Sequence, residues 1–263
     1  MHGECGAASW FSNSKTMKTQ FIFAAFFLVF TAGALNAADG NPLPNADEVV
    51  ATMQQRDAQR RTLLEGYRGM RQYILENTRM QKHAEMHVRV QSDVDGTKHF
   101  EVVDEEGWKA AHNHVFRKML DSEAETSHPQ ISPKTRIASD NYEFHMVGIE
   151  PVEGRSAYAI DITPKRHEER LFQGRIWVDA EDYALVRAEG RPAKNPSFWI
   201  RSVHFVHTYQ KAGSFWFPVA TQSVSEVRIF GATKVTINYF DYAPKPRHAA
   251  ERASMQSQPT LDK

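Results

Sequence analysis

Seven segments in the C-terminal half of the chain, at residues 142–149, 157–163, 172–178, 183–189, 199–209, 215–227 and 233–242, alternate apolar with polar side chains, and fewer than ten residues separate each from the next. A period of two places alternate side chains on opposite faces of a strand. The connections carry turn residues, as in Glu153-Gly154-Arg155, Asp179 to Asp182 and Lys211-Ala212-Gly213. They are too short for the crossover that parallel neighbours need, so consecutive strands must pair antiparallel.

The same alternation begins earlier. From Tyr67 onward Tyr73 and Leu75 alternate with polar partners, Met86, Val88 and Val90 alternate with His87, Arg89 and Gln91, and Asp93-Val94-Asp95-Gly96 supplies a turn before Phe100 and Val102. This is a β-meander, and it brings the expected total to about ten strands. A sheet of that size curls, and helices can cover one face. Two helices are predicted. Asn45 or Asp47 caps the first, whose apolar positions Val49, Val50, Met53, Leu63 and Leu64 carry it to about Glu65. The second spans residues 112–124, where Val115, Phe116, Met119 and Leu120 recur at helical spacing. The expected fold class is therefore mainly β (α+β): a large bent antiparallel sheet, capped by two or more helices and enclosing a hollow.

The ends of the chain set its compartment. Lys15 and Lys18 precede a nearly unbroken apolar run from Phe21 to Ala34, which ends in small residues. That order of charged, apolar and small residues predicts a secretory signal at residues 1–37, cleaved after Ala37, with Met17 an alternative start. The run is shorter than the roughly 20 apolar residues of a membrane-spanning helix. Cleavage leaves 226 residues and removes Cys5, the one cysteine. The mature chain thus rests on an ordinary core without disulfides, and no cysteine stands at the cleavage point to take a lipid. Residues 38–66 form a linker and the first helix, 67–243 the sheet domain, and 244–263 a polar, proline-containing tail predicted to be disordered. Of 32 basic and 32 acidic side chains, 30 and 31 remain after cleavage. Such a balance provides no field for nucleic acid.

Catalytic patterns are absent: there is no Gly-x-Ser-x-Gly elbow, no glycine-rich phosphate loop and no His-Glu-x-x-His. His112-Asn113-His114 lacks a surrounding metal-binding pattern, and His83 and His87 share the polar face of a strand. His204 and His207 fall on opposite faces, which argues against shared ligation. No cofactor, metal or catalytic residue is expected. The unusual feature is aromatic. Trp199, Phe205 and Tyr209 share one strand face, Phe215 and Phe217 line a face of the next, and Phe172 and Ile176 lie on an earlier strand. Trp177 and Trp216 point the other way, so the sheet carries an apolar load on both faces.

The run Leu171-Phe172-Gln173-Gly174-Arg175-Ile176-Trp177-Val178-Asp179, then Ala184 to Gly190, Val203 to Tyr209 and Gly213-Ser214-Phe215-Trp216-Phe217-Pro218, resembles the C-terminal half of LolA-like outer-membrane lipoprotein-sorting proteins, in the superfamily that also holds LolB, LppX and RseB. The resemblance implies a half-open β-barrel lidded by helices, whose apolar concavity takes lipoprotein acyl chains or another lipid in the periplasm. It implies a soluble carrier, with envelope membrane proteins as further partners. On that expectation the lipid contacts are Phe172, Ile176, Trp199, Phe205 and Phe217. Two other roles stay open at this point. One is an RseB-like sensor or regulatory module; the other is an envelope hydrolase using distant residues such as His145 and Asp161.

Overall fold

The computed structural model describes residues 42–247, so the expected signal, its alternative start at Met17 and its cleavage after Ala37 lie outside the described residues, as does most of the tail. The first helix, α1, runs Ala46–Thr62, and the Asn45 side chain accepts from the Asp47 N–H at 2.8 Å to cap it. Its buried residues, Ala46, Val49, Val50 and Met53, all fall in the first half. The helix ends three residues before the expected Glu65, because Leu64 already pairs with Pro246 and β1 (Leu64–Asn77) has begun.

With β1, nine further strands form one ten-stranded antiparallel sheet: β2 (Lys82–Ser92), β3 (Lys98–Gly107), β4 (Tyr142–Val152), β5 (Arg155–Pro164), β6 (Phe172–Asp179), β7 (Leu185–Pro192), β8 (Ile200–Ala212), β9 (Phe215–Val227) and β10 (Gly231–Pro246). Their order is β3-β2-β1-β10-β9-β8-β7-β6-β5-β4. Every neighbour pair but one is consecutive in sequence. The exception, β1 with β10, joins the first strand to the last in the middle of the sheet and leaves β3 and β4 as its edges. The sheet is not closed, as a half-open barrel requires. β10 also corrects the expected tail, since residues 244–246 are strand: Pro244 pairs with Tyr67 and Pro246 with Leu64. Proline lacks an N–H, but here β10 has passed the end of its ladder with β9 at Asn238 and Ala220, so only one side needs donors.

The two edges are linked by a helical run: α2 (Lys109–Ala111), a π-turn (His112–Phe116), α3 (Arg117–Ser127) and α4 (Ser132–Thr135). Ala111 and Phe116 are both buried although five residues apart. The π-turn puts positions five apart on one face, and Leu120 then follows four residues on in ordinary α-helix. Bulges interrupt five of the ladders, and Gly174 faces Gly190 where β6 and β7 approach too closely for a side chain. A Cβ on Gly190 would lie 2.3 Å from the Gln173 carbonyl oxygen, and one on Gly174 would lie 2.0 Å from that of Glu189.

The core divides in two on one face of the sheet. Under α1, Val49, Val50 and Met53 meet Tyr142, Ile160, Ile162, Ile176 and Val178 from β4 to β6. Under the second helical run, Ala111, Phe116 and Leu120 meet Tyr73, Leu75, Met86, Val88, Val235 and Ile237 from β1, β2 and β10.

Candidate functional site

No residue of β8 or β9 belongs to either of the two helix-covered clusters. Between the helical covers lies a strip of the same sheet face made by β8, β9 and the adjoining part of β10, which we call the trough. Phe205, His207 and Tyr209 on β8 and Tyr239 on β10 are half-buried there. The Phe205 ring meets Phe172 edge-on at 5.2 Å between centroids, and Phe172 meets Tyr142 at 5.9 Å. At the other end Phe217 stacks on Tyr242 at 4.3 Å and meets Tyr67 at 5.3 Å. Four of the five residues expected from sequence, Phe172, Ile176, Phe205 and Phe217, thus share the helix-bearing face.

Trp199 does not. It lies just ahead of β8, 54% exposed, against Phe198. Parity counted from Phe205 carries Trp199 to the same face only if the strand is regular, and β8 begins at Ile200 with a register shift between Ile200 and Ser202. The second apolar load is also placed. Trp177, Ala157, Ala159 and Val186 form a separate small cluster with Trp216 against it. Arg187 and Arg175 lie over the Trp177 ring and Arg155 over Trp216, while the indole N–H groups donate to Glu150 at 2.7 Å and Asp182 at 3.2 Å. Arginine stems and ion pairs roof these tryptophans.

The trough is bounded on one side by a charged cluster that the sequence reading did not single out. Arg71 on β1, 1% exposed, donates to both Glu123 oxygens on α3, at 2.6 and 3.0 Å, and Lys98 on β3 adds a third bond at 2.6 Å. The Arg71 guanidinium lies 5.1 Å from the Phe100 centroid and 4.8 Å from that of Tyr239, and it also donates to the Tyr73 hydroxyl at 3.2 Å. Burial by itself would raise the Glu123 carboxyl, but Lys98 and Arg71 outweigh it and hold the group well below the usual carboxylate range. Glu123 remains ionised across the neutral range. The only clue in sequence was Arg71 at a position whose parity matches Tyr73 and Leu75.

A polar chain crosses the trough floor: His207 Nδ1 lies 2.7 Å from the Thr221 hydroxyl, which lies 2.9 Å from that of Tyr239. Burial pushes His207 down to about 4 and Tyr239 up to about 12, so both are neutral at pH 7. Burial likewise raises Tyr209 and Tyr242. The surface is aromatic and uncharged apart from the Arg71 cluster at its edge. Elsewhere His145 and Asp161 do face each other across β4 and β5, but Asp161 is held by Arg175 at 2.6 Å. Among the described residues no group of three or more His, Cys, Asp or Glu side chains could hold a metal ion, and no helix is long and apolar enough to cross a membrane.

The model of a family of unknown function, DUF5686, matches residues 75–243, from the end of β1 to β10. No curated protein matches the chain. Among solved structures, a domain described as outer membrane lipoprotein-sorting from Vibrio parahaemolyticus is 12% identical, with a TM-score of 0.41, over 81% of this chain and 98% of its own. A LolA superfamily protein from Nitrosomonas europaea is 9% identical, with a TM-score of 0.41, over 79% and 97%. The MucA/MucB complex of Pseudomonas aeruginosa is 9% identical, with a TM-score of 0.27, over 77% and 99%.

Proposed function

This chain belongs to the DUF5686 family of unknown function, and we propose that it is an exported, non-enzymatic binding protein that shelters the acyl chains of a lipid or lipoprotein in the trough during passage through the periplasm to the outer membrane. The observation that carries the reading is the gap between the two covers. Phe172, Phe205, Tyr209 and Tyr239 are only partly buried on a face that is otherwise core, Phe172 and Tyr239 at the margins of the two clusters. An occupant that continues that core would have to be apolar, because the polar groups on the floor satisfy one another through Thr221.

Each methylene buried there gains about 0.8 kcal/mol, so a few acyl chains suffice for tight binding without a specific headgroup contact. The hydrolase reading has less support, since the one pair named for it has Asp161 engaged by Arg175. Phe172, Phe205 and Phe217 are the proposed acyl contacts, whereas Ile176, also expected from sequence, is fully buried under α1 and can support the site only from within the core. Native mass spectrometry of the protein recovered from its own envelope, followed by titration with a fluorescent fatty acid, tests the reading. Acyl-bearing mass and saturable uptake are expected; a bare chain that takes up no acyl probe excludes it.

A further inference from the structure

Four large apolar side chains gather at one end of the sheet, away from the trough. Phe198 and Trp199, in the β7–β8 loop, are 75% and 54% exposed, and Ile229 in the β9–β10 turn is 58% exposed with Phe230 beside it. The two segments are fixed to each other. The Arg228 backbone N–H donates to the Trp199 carbonyl at 2.8 Å, its Nε donates to the Phe198 carbonyl at 2.8 Å, and its guanidinium lies 4.6 Å from the Phe198 centroid. These side chains project from an ordered tip.

Next to the tip is a pocket of about 680 Å³ lined by His167, Arg191, Lys194, Arg201 and Arg228 together with polar residues and Phe198, and no carboxylate lines it. Lys194 is neutralised by Glu169 at 3.1 Å. Arg191 donates to the Gln173 amide oxygen, and among the described residues neither it nor Arg201 nor Arg228 forms an ion pair with a carboxylate. In a chain with 32 basic and 32 acidic groups this local excess is a matter of placement, not of composition. Exposed Trp, Phe and Ile ringed by unpaired arginine match the two layers of a bilayer interface: the rings suit the boundary of the acyl region and the guanidinium groups suit lipid phosphates.

We propose that the tip formed by Phe198, Trp199 and Ile229, with Arg191, Arg201 and Arg228 around it, docks the protein on an anionic phospholipid surface. The proposal does not rest on the trough reading: uptake of an acyl probe tests the trough, and vesicle binding tests the tip. The choice of a membrane over a protein partner follows from charge complementarity with the unpaired arginines and from the exposure of Phe198, Trp199 and Ile229 at an ordered tip.

Protein produced from the full chain is mixed with phosphatidylcholine vesicles, with and without about 30 mole per cent phosphatidylglycerol, and sedimented. Binding to the anionic vesicles at least about tenfold tighter is expected, falling in about 0.5 M salt. Arg201→Glu should weaken it at least about fivefold, as should the double variant Phe198→Ser/Trp199→Ser. Trp199→Phe keeps an insertable ring, so it should bind normally but lose part of the blue shift in tryptophan emission, which guards against reading misfolding as lost docking. Equal binding to both vesicle types, binding to neither, or unaltered binding by Arg201→Glu and the double variant would overturn the assignment.

Discussion

The Arg71 guanidinium and the Glu123 carboxylate form a two-pronged ion pair, at 2.6 and 3.0 Å, that ties β1 to α3 beside the trough. Arg71 is buried between Phe100 and Tyr239, whereas Glu123 keeps 31% of its side-chain surface. The two partners therefore have unequal consequences. Glu123→Ala strands a buried cation and should destabilise the fold by about 3–5 kcal/mol, measured by urea unfolding. Glu123→Gln keeps an acceptor and should cost less. Arg71→Met in the Glu123→Ala background should restore part of the loss, because Met fills the aromatic slot without a charge. A loss under about 1 kcal/mol for Glu123→Ala would mean that the pair does not secure α3.

Gly190 and Gly174 make a second prediction, this one about the close approach of β6 and β7. The added methyl of Gly190→Ala meets the Gln173 carbonyl oxygen at 2.3 Å, and that atom is backbone held in the β6–β7 ladder. The strands must separate, so a loss of more than about 2 kcal/mol is expected. Gly148→Ala serves as the comparison, since a Cβ there meets nothing within 4 Å. Similar melting shifts for the two variants would show that the β6–β7 pairing does not depend on the glycine pair.

Most of the strand framework was readable because alternation and turn residues are local signals, as with Met86, Val88 and Val90 against His87 and Arg89. Both helical segments were readable for the same reason, with Asn45 or Asp47 expected as the first cap and Asn45 found, but the π-turn at His112–Phe116 was not. What was not readable depends on distant pairing. The meeting of β1 with β10 turns Pro244 and Pro246 from tail into strand, and nothing within a few residues of either signals it. The site divides along the same line. Parity placed Phe172, Ile176, Phe205 and Phe217 on common faces but could not say which face the helices cover, nor that Glu123, 52 residues from Arg71, would become its partner. Trp199 was misplaced by a register irregularity at the start of β8, which parity counting cannot see.

Phe205 and Trp199, expected from sequence to share one strand face, should separate in experiment. Phe205→Glu puts a carboxylate on the trough floor beside Phe172 and His207. Acyl-probe uptake should fall at least about tenfold, since an ion facing hydrocarbon costs more than the lost ring. Trp199→Ser lies outside the trough and should leave uptake within about twofold of wild type, while weakening vesicle binding. Circular dichroism of both variants should match the wild type, because neither residue is fully buried. Equal uptake by Phe205→Glu and wild type would move the acyl site off this face.

His207 should give the fold an identifiable pH dependence. Burial lowers its folded value to about 4 from the ordinary 6.5, with Glu123 opposing weakly. Between those values the unfolded chain binds a proton that the folded chain refuses, so the stability linked to His207 is complete above about pH 6.5. It falls as the pH drops, by at most about 1.4 kcal/mol per unit, until the folded imidazole is itself protonated near pH 4. Glu123 acts in a different window: its lowered carboxyl starts to forfeit stability only below the ordinary glutamate value of 4.5. Unfolding free energies of wild type and His207→Gln, measured from pH 7.5 to 5, should therefore diverge, with the wild type losing stability faster on acidification. Parallel curves over that interval would show that the folded protein can protonate His207 freely, and with it that the floor of the trough is open to water at that point.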